Sequence, residues 1–169
     1  DHAELVADYA DMLQIGTRNA QNFQLIIAAA KTGKPVLLKR GMSMRIMEWL
    51  LAGEYVLANQ NSNLLFCERG VRTFEDYTRN TLDLSAVAVV KNESHCPIVV
   101  DPSQGCGKAS LVRAMCKGAV AMGADALIVE VHPDPTHAIS DAAQQIDLEG
   151  FNELMKELVP IAESVGREM

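Results

Sequence analysis

Short apolar runs that alternate with amphipathic helices, and a polar group at the end of run after run, predict an α/β fold for this 169-residue chain. The runs are apolar on consecutive residues, as strands buried on both faces require, so the sheet reads as parallel with helices covering it. The recurring ends are Gly16-Thr17-Arg18, Lys39-Arg40-Gly41, Glu68-Arg69-Gly70, Asp101-Pro102-Ser103 and Glu130-Val131-His132-Pro133. A (β/α)8 barrel gathers its functional groups at the C-terminal ends of its strands. A doubly wound sheet would also do so, usually with a GxGxxG turn, and the sequence contains none.

Taken in order, Met12 to Gly16 is the first strand, and a helix runs from Asn19 to Lys31 with Gly33 as its stop signal. Pro35 to Lys39 is the second strand, and Ser43 is the expected N-cap of a helix through about Ala58. Leu64 to Cys67 is the third strand, followed by a long polar connection, Glu68 to Asp83, and a short helix over Leu84 to Lys91. Pro97 to Asp101 is the fourth strand, followed by a helix over Ala109 to Met122. Ala126 to Val131 is the fifth, and a helix over Leu148 to Val165 closes the chain. A closed barrel uses eight strands and roughly 250 residues. Either three strands lie outside this chain or the sheet is open. No linker or internal repeat divides residues 1–169, which are read as a single domain.

The composition, 49% hydrophobic and 22% charged, is that of a globular protein. A net charge of −7 argues against nucleic-acid binding, yet leaves room for a local cluster of cations around a phosphorylated substrate. No apolar run is long enough to span a bilayer, and Asp1-His2-Ala3-Glu4 does not resemble a signal peptide. Cys67, Cys96, Cys106 and Cys116 form no CxxC pair or zinc spacing, so they read as reduced thiols of a cytoplasmic protein.

Arg18, Lys39, Arg69 and Arg79 lie at or beyond predicted strand ends, where they could converge on a ligand with phosphate and carboxylate groups. The plainer reading of any single one is a solubilising surface cation; repetition at successive strand ends weighs against it. Glu130 and Asp141 could share a divalent cation, or Asp141 could cap a turn while Glu130 pairs with an arginine. His132, ahead of the rigid Pro133-Asp134-Pro135 turn, is open to a catalytic or a loop-holding role, and His95 reads as structural. Gln104-Gly105-Cys106-Gly107-Lys108 falls far short of a P-loop, and Cys106 reads as an inert loop thiol.

Together these segments resemble one family. Gln14-Ile15-Gly16-Thr17-Arg18-Asn19, Leu37-Leu38-Lys39-Arg40-Gly41 and Cys67-Glu68-Arg69-Gly70-Val71-Arg72-Thr73 are similar to successive motifs of the 3-deoxy-D-arabino-heptulosonate 7-phosphate (DAHP) synthases of the short bacterial and archaeal subgroup. So are Thr78 to Asp83, Val100-Asp101-Pro102-Ser103, Glu130 to Pro135 and Ile139-Ser140-Asp141. The likeness covers nearly the whole chain; related sialic-acid and 3-deoxy-octulosonate phosphate synthases match these strings less well. The resemblance implies the C-terminal part, about five βα units, of a (β/α)8 TIM barrel. It implies the condensation of phosphoenolpyruvate with erythrose 4-phosphate, the entry step to aromatic amino acids. Gly16, Thr17, Arg18, Lys39 and Arg69 would then bind phosphoenolpyruvate, with Lys39 catalytic, and Glu130 and Asp141 would ligate a divalent metal (Mn, Fe, Co or Zn).

Two departures bear on this expectation. The family's first strands, with a Cys metal ligand and a Lys-Pro-Arg-Thr loop, are absent from the chain. Where the family has His after Asp-Pro-Ser, this chain has Gln104, a weaker ligand for a transition metal, so metal affinity is expected to fall or the metal to be dispensed with. Cys106, two residues on, is a conceivable substitute. A catalytically inactive binding or regulatory subunit and a synthase for another aldose phosphate therefore stand as alternatives. Five barrel strands would leave two open edges and an uncovered interior, so accompanying N-terminal strands or homo-oligomerisation are expected.

Overall fold

The computed structural model of the chain describes residues 2–169. Five parallel strands, β1 (Leu13–Ile15), β2 (Val36–Lys39), β3 (Leu64–Glu68), β4 (Ile98–Val100) and β5 (Ala126–Leu127), lie side by side in chain order. The helices are α1 (Ala3–Ala7), α2 (Phe23–Lys31), α3 (Ile46–Leu57), α4 (Ser85–Glu93), α5 (Pro102–Cys106), α6 (Ala109–Ala121) and α7 (Leu148–Ser164). A doubly wound sheet reverses its strand order at a switch point. Here each strand pairs with its successor, Leu13 with Val36, Val36 with Leu64, Phe66 with Ile98 and Val99 with Ala126, which is the winding of a barrel.

Side chains alternate across the strands and so define two faces. Leu13, Ile15, Val36, Leu38, Leu64, Phe66, Ile98 and Val100 face the helices and form the main core with Ile26, Trp49, Val56, Val87 and Val90. Full burial of a large apolar side chain contributes roughly 1.5–3 kcal/mol. Trp49 stacks edge-on against Phe66 at 5.0 Å and donates its indole N–H to the Leu38 carbonyl, so its polar atom is satisfied inside the core. The opposite face carries a smaller cluster of sheet residues alone: Leu37, Cys67 and Val99, with Leu65 and Ile128 against them. This is the inner side of the barrel wall.

Several boundaries differ from the sequence expectation, each for a local reason. The helix expected from Asn19 begins at Phe23, because Asn22 caps it by accepting from the Leu25 N–H; Thr17–Asn19 is a separate 3-10 turn. Ser43 does not cap α3; Arg45 takes the N-cap position, and its N–H donates to the Glu48 carboxylate at 2.9 Å. Helix α5 takes the place of the loop expected around Cys106. Asp101 caps it by accepting from Gln104 N at 3.0 Å, Pro102 starts it, and left-handed Gly107 (φ 67°) ends it. Strand β5 stops at Leu127 because the Glu130 N–H turns to the Ser103 hydroxyl and Val131 bridges to Ile146.

Beside β5 an apolar groove of about 550 Å³ lies open, walled by Leu127, Val129, Phe151, Leu154 and Leu158. Among the described residues no helix is long and apolar enough to cross a membrane.

Candidate active site

The alternation that builds the inner face also builds the site. Lys39 follows Leu37, Arg69 follows Cys67, Asp101 follows Val99 and Glu130 follows Ile128, each two residues on and therefore on the same face. These four groups crown the inner apolar cluster at the C-terminal ends of the strands. Their neighbours turn the other way. Arg40 and Glu68 point towards the helices, where a buried ion pair of 2.8 Å joins them, and Arg40 also reaches Asp83 at 2.8 Å. The Gly70 N–H donates to Glu68 Oε1, so this network fastens the start of the long connection to β3.

The connection returns across the site. Val71 and Thr81 pair antiparallel, and Gly70 (φ +90°) permits the turn; a Cβ there would lie 2.7 Å from that of Asn80. At Gly107 a Cβ would meet the Arg79 side chain at 2.4 Å, so the lack of a side chain lets the Arg79 stem lie against the end of α5. Arg79 then ion-pairs with Asp141 at 2.8 Å and donates to the buried Gln144.

Gly16, Thr17, Arg18, Lys39, Arg69, Arg79, Gln104 and Asp141 thus line one cavity of about 450 Å³. All of the cations expected from sequence reach it, and both Gln14 and Asn19 join them. Lys39 Nζ is 2.7 Å from Asp101 Oδ2. Arg69 is buried, and burial pulls its guanidinium below its ordinary value while Asp101 acts in the other direction. One of its two terminal nitrogens, Nη1, is buried with no hydrogen-bond partner. An unpartnered buried guanidinium N–H costs desolvation energy, which an anionic ligand would recover.

Gln104 joins the cations to the acids. Its Nε2 donates to Glu130 Oε1 at 2.7 Å and to Asp141 Oδ2 at 3.2 Å, and its Oε1 accepts from Arg69 Nη2 at 2.9 Å. Partial burial pushes the Asp141 carboxyl up, but hydrogen bonds from Arg79 and Gln104 outweigh it and hold Asp141 below the usual carboxylate range. Asp141 is one of two non-glycine residues with positive φ, at 51°, among the described residues.

A divalent cation does not fit this donor set as it stands. Gln104 presents its amide nitrogen, not its oxygen, to the two carboxylates, and both are already hydrogen-bonded. Among the described residues, no three His, Cys, Asp or Glu side chains are grouped to hold one metal ion. Cys106 is no substitute: its buried thiol faces the Pro102 and Lys108 carbonyls. His132 accepts the Asp134 N–H through Nδ1, the loop-holding arrangement. The sequence marks Asp101 as a strand-end polar group without giving it a role, and it does not mark Gln144. Asp101 was detectable, since it shares the inner parity of Val99; Gln144, on a loop, carried no such signal.

Comparisons with known proteins give the family. The family model described as the DAHP synthetase I family matches residues 1–164. A phospho-2-dehydro-3-deoxyheptonate aldolase of Thermotoga maritima is 51% identical over 98% of this chain and 49% of its own length. A 2-dehydro-3-deoxyphosphooctonate aldolase of Syntrophotalea carbinolica is 32% identical over 94% of this chain and 60% of its own length. Among solved structures, a truncated DAHP synthase of Thermotoga maritima superposes with a TM-score of 0.95 at 51% identity, covering 96% of this chain and 62% of that one. The chain thus spans about half the length of the Thermotoga relative it matches. With motifs, strand order and overall likeness in accord, the chain belongs to the DAHP synthetase I family.

Proposed function

We propose that this chain supplies the phosphoenolpyruvate-binding wall of a DAHP synthase, which condenses phosphoenolpyruvate with erythrose 4-phosphate. The carrying observation is the buried, unpartnered Nη1 of Arg69, in a cavity that Arg18, Lys39 and Arg79 also line. Phosphoenolpyruvate offers a phosphate and a carboxylate, the two groups that guanidinium binds through paired hydrogen bonds. On this reading Arg18, Lys39 and Arg69 hold the anion, with Gly16 and Thr17 beside it.

In the condensation, a carbon–carbon bond forms between the enol methylene and the aldehyde carbon. Water is consumed and inorganic phosphate released. Negative charge shifts within the phosphate as it departs, and cations fixed in place beforehand stabilise that charge without reorganising. Lys39, steadied by Asp101, is the group suited to this, and no step is assigned to a metal. The remaining strands of the barrel, outside this chain, would cover the open edges of β1 and β5 and complete the aldehyde side.

The full polypeptide, supplied with both substrates, should form heptulosonate phosphate and phosphate in equal amounts. Binding of phosphoenolpyruvate without turnover would favour the inactive-subunit reading, which the Gln104 replacement supports. Turnover with a different aldose phosphate would favour the relative at 32% identity as the functional guide.

A further inference from the structure

The side-chain amide of Gln104 has one orientation that satisfies all its neighbours. Arg69 carries only donors and ionised carboxylates only acceptors, so the amide oxygen must face Arg69 and the nitrogen must face Glu130 and Asp141. Turned over, the amide would set N–H against guanidinium and oxygen against two anions. The backbone of Gln104 is fixed too, by the Asp101 cap at 3.0 Å and by Asn80 Nδ2 donating to the Gln104 carbonyl at 3.0 Å. Asp141 already has a counter-charge, the Arg79 guanidinium bound to its Oδ1 at 2.8 Å. A divalent cation would add two positive charges to this set and would have to displace the amide hydrogens.

We propose that Gln104 is a positioning residue that bridges Glu130 and Asp141 in place of a divalent cation, so that the site binds its phosphorylated acid without metal. The second clause rests on the reading of the cavity as a phosphoenolpyruvate site; the first does not. The bridge keeps two acids apart from the incoming anion while directing Arg69 towards it. Replacing the amide by a ligand should therefore convert the bridge into a metal site.

The test titrates Mn²⁺ alone into the full polypeptide and into Gln104→His and Gln104→Glu, with uptake followed by electron paramagnetic resonance and folding by circular dichroism. The unsubstituted protein should show no saturable uptake at micromolar Mn²⁺. Gln104→His adds an imidazole to the two carboxylates, and Gln104→Glu removes both amide hydrogens and adds charge. Each should bind Mn²⁺ at least about tenfold more tightly. Saturable micromolar uptake by the unsubstituted protein overturns the proposal, whatever the variants do, and so does the absence of any gain in folded variants. In a separate arm, phosphoenolpyruvate is titrated with and without EDTA. Equal affinity supports metal-free binding, and loss of affinity in EDTA overturns it. Failure to bind phosphoenolpyruvate under either condition overturns the functional reading instead, while the Mn²⁺ arm still decides the role of Gln104.

Discussion

Lys39 and Asp101 form an ion pair of 2.7 Å that reaches over β3 from the end of β2 to the end of β4, with the Asp101 side chain only 1% exposed. The same carboxylate caps α5 through its second oxygen. Asp101→Asn keeps an acceptor for the cap but leaves a largely buried ammonium without its counter-charge, at a cost of about 3 kcal/mol. Asp101→Ala should cost about 1 kcal/mol more through loss of the cap. Urea unfolding of the two variants reads the difference; equal losses would show that the cap contributes nothing.

On the proposed function, Arg69→Lys should weaken phosphoenolpyruvate binding by roughly 10- to 100-fold, since an ammonium cannot reproduce a fork that holds Gln104 through one nitrogen and leaves another for an anion. Arg113→Lys, on the exposed surface where Arg113 meets Glu153 and Glu157, should leave affinity unchanged. Calorimetric titration of both variants separates a local effect from a general loss of positive charge.

Gly70→Ala and Gly16→Ala should behave oppositely. The first puts a side chain at φ +90° and a Cβ 2.7 Å from that of Asn80, so a loss of about 1–3 kcal/mol is expected in thermal unfolding. Gly16 has ordinary dihedrals and no atom within 4 Å of an added Cβ, so stability should stay within about 0.5 kcal/mol. Because Gly16 lines the cavity, its methyl should instead weaken anion binding.

Acid should destabilise the fold through Asp83 and Asp125. Burial pushes each carboxyl up, but Arg40 and Ser85 hydrogen bonds at Asp83, and those of the Ile98 N–H, Arg167 and Lys91 at Asp125, bring both below their ordinary value. Their contribution is complete above the unfolded value of about pH 4 and is lost as pH falls through the lower folded values. Glu68 opposes them, because burial raises it; its contribution is present at low pH and fades as pH rises through its folded value. Urea midpoints between about pH 5 and pH 2 should decline, and the decline should flatten in Asp83→Asn and Asp125→Asn.

Local patterns made much of this molecule legible. The apolar runs located all five strands, and Gly33, at φ 72°, stops α2 as its position after Lys31 suggested. Parity carries further information: within Lys39-Arg40 and Glu68-Arg69, one member of each pair turns inwards and the other meets its opposite on the helix side. What sequence could not convey is which partner a polar group finds once loops fold back. Gln104 reads as a poor ligand in isolation, and only the approach of Arg69, Glu130 and Asp141 from three other segments fixes how its amide is turned. Strand β5 is short for the same reason, because Ser103 from a neighbouring connection captures the N–H of Glu130.

The sequential strand order has a kinetic consequence. Every strand pairs with the one that follows it in the chain, so no pairing requires closure of a loop longer than a single βα unit. The entropic barrier to each addition is then similar and modest, and the sheet can grow by one unit at a time from any starting pair. The cavity, however, draws Arg18 from the first unit and Asp141 from the last. Sheet growth and assembly of the cavity should therefore be separable in time: anion binding matures only with the final addition, after most of the backbone protection against hydrogen exchange is in place.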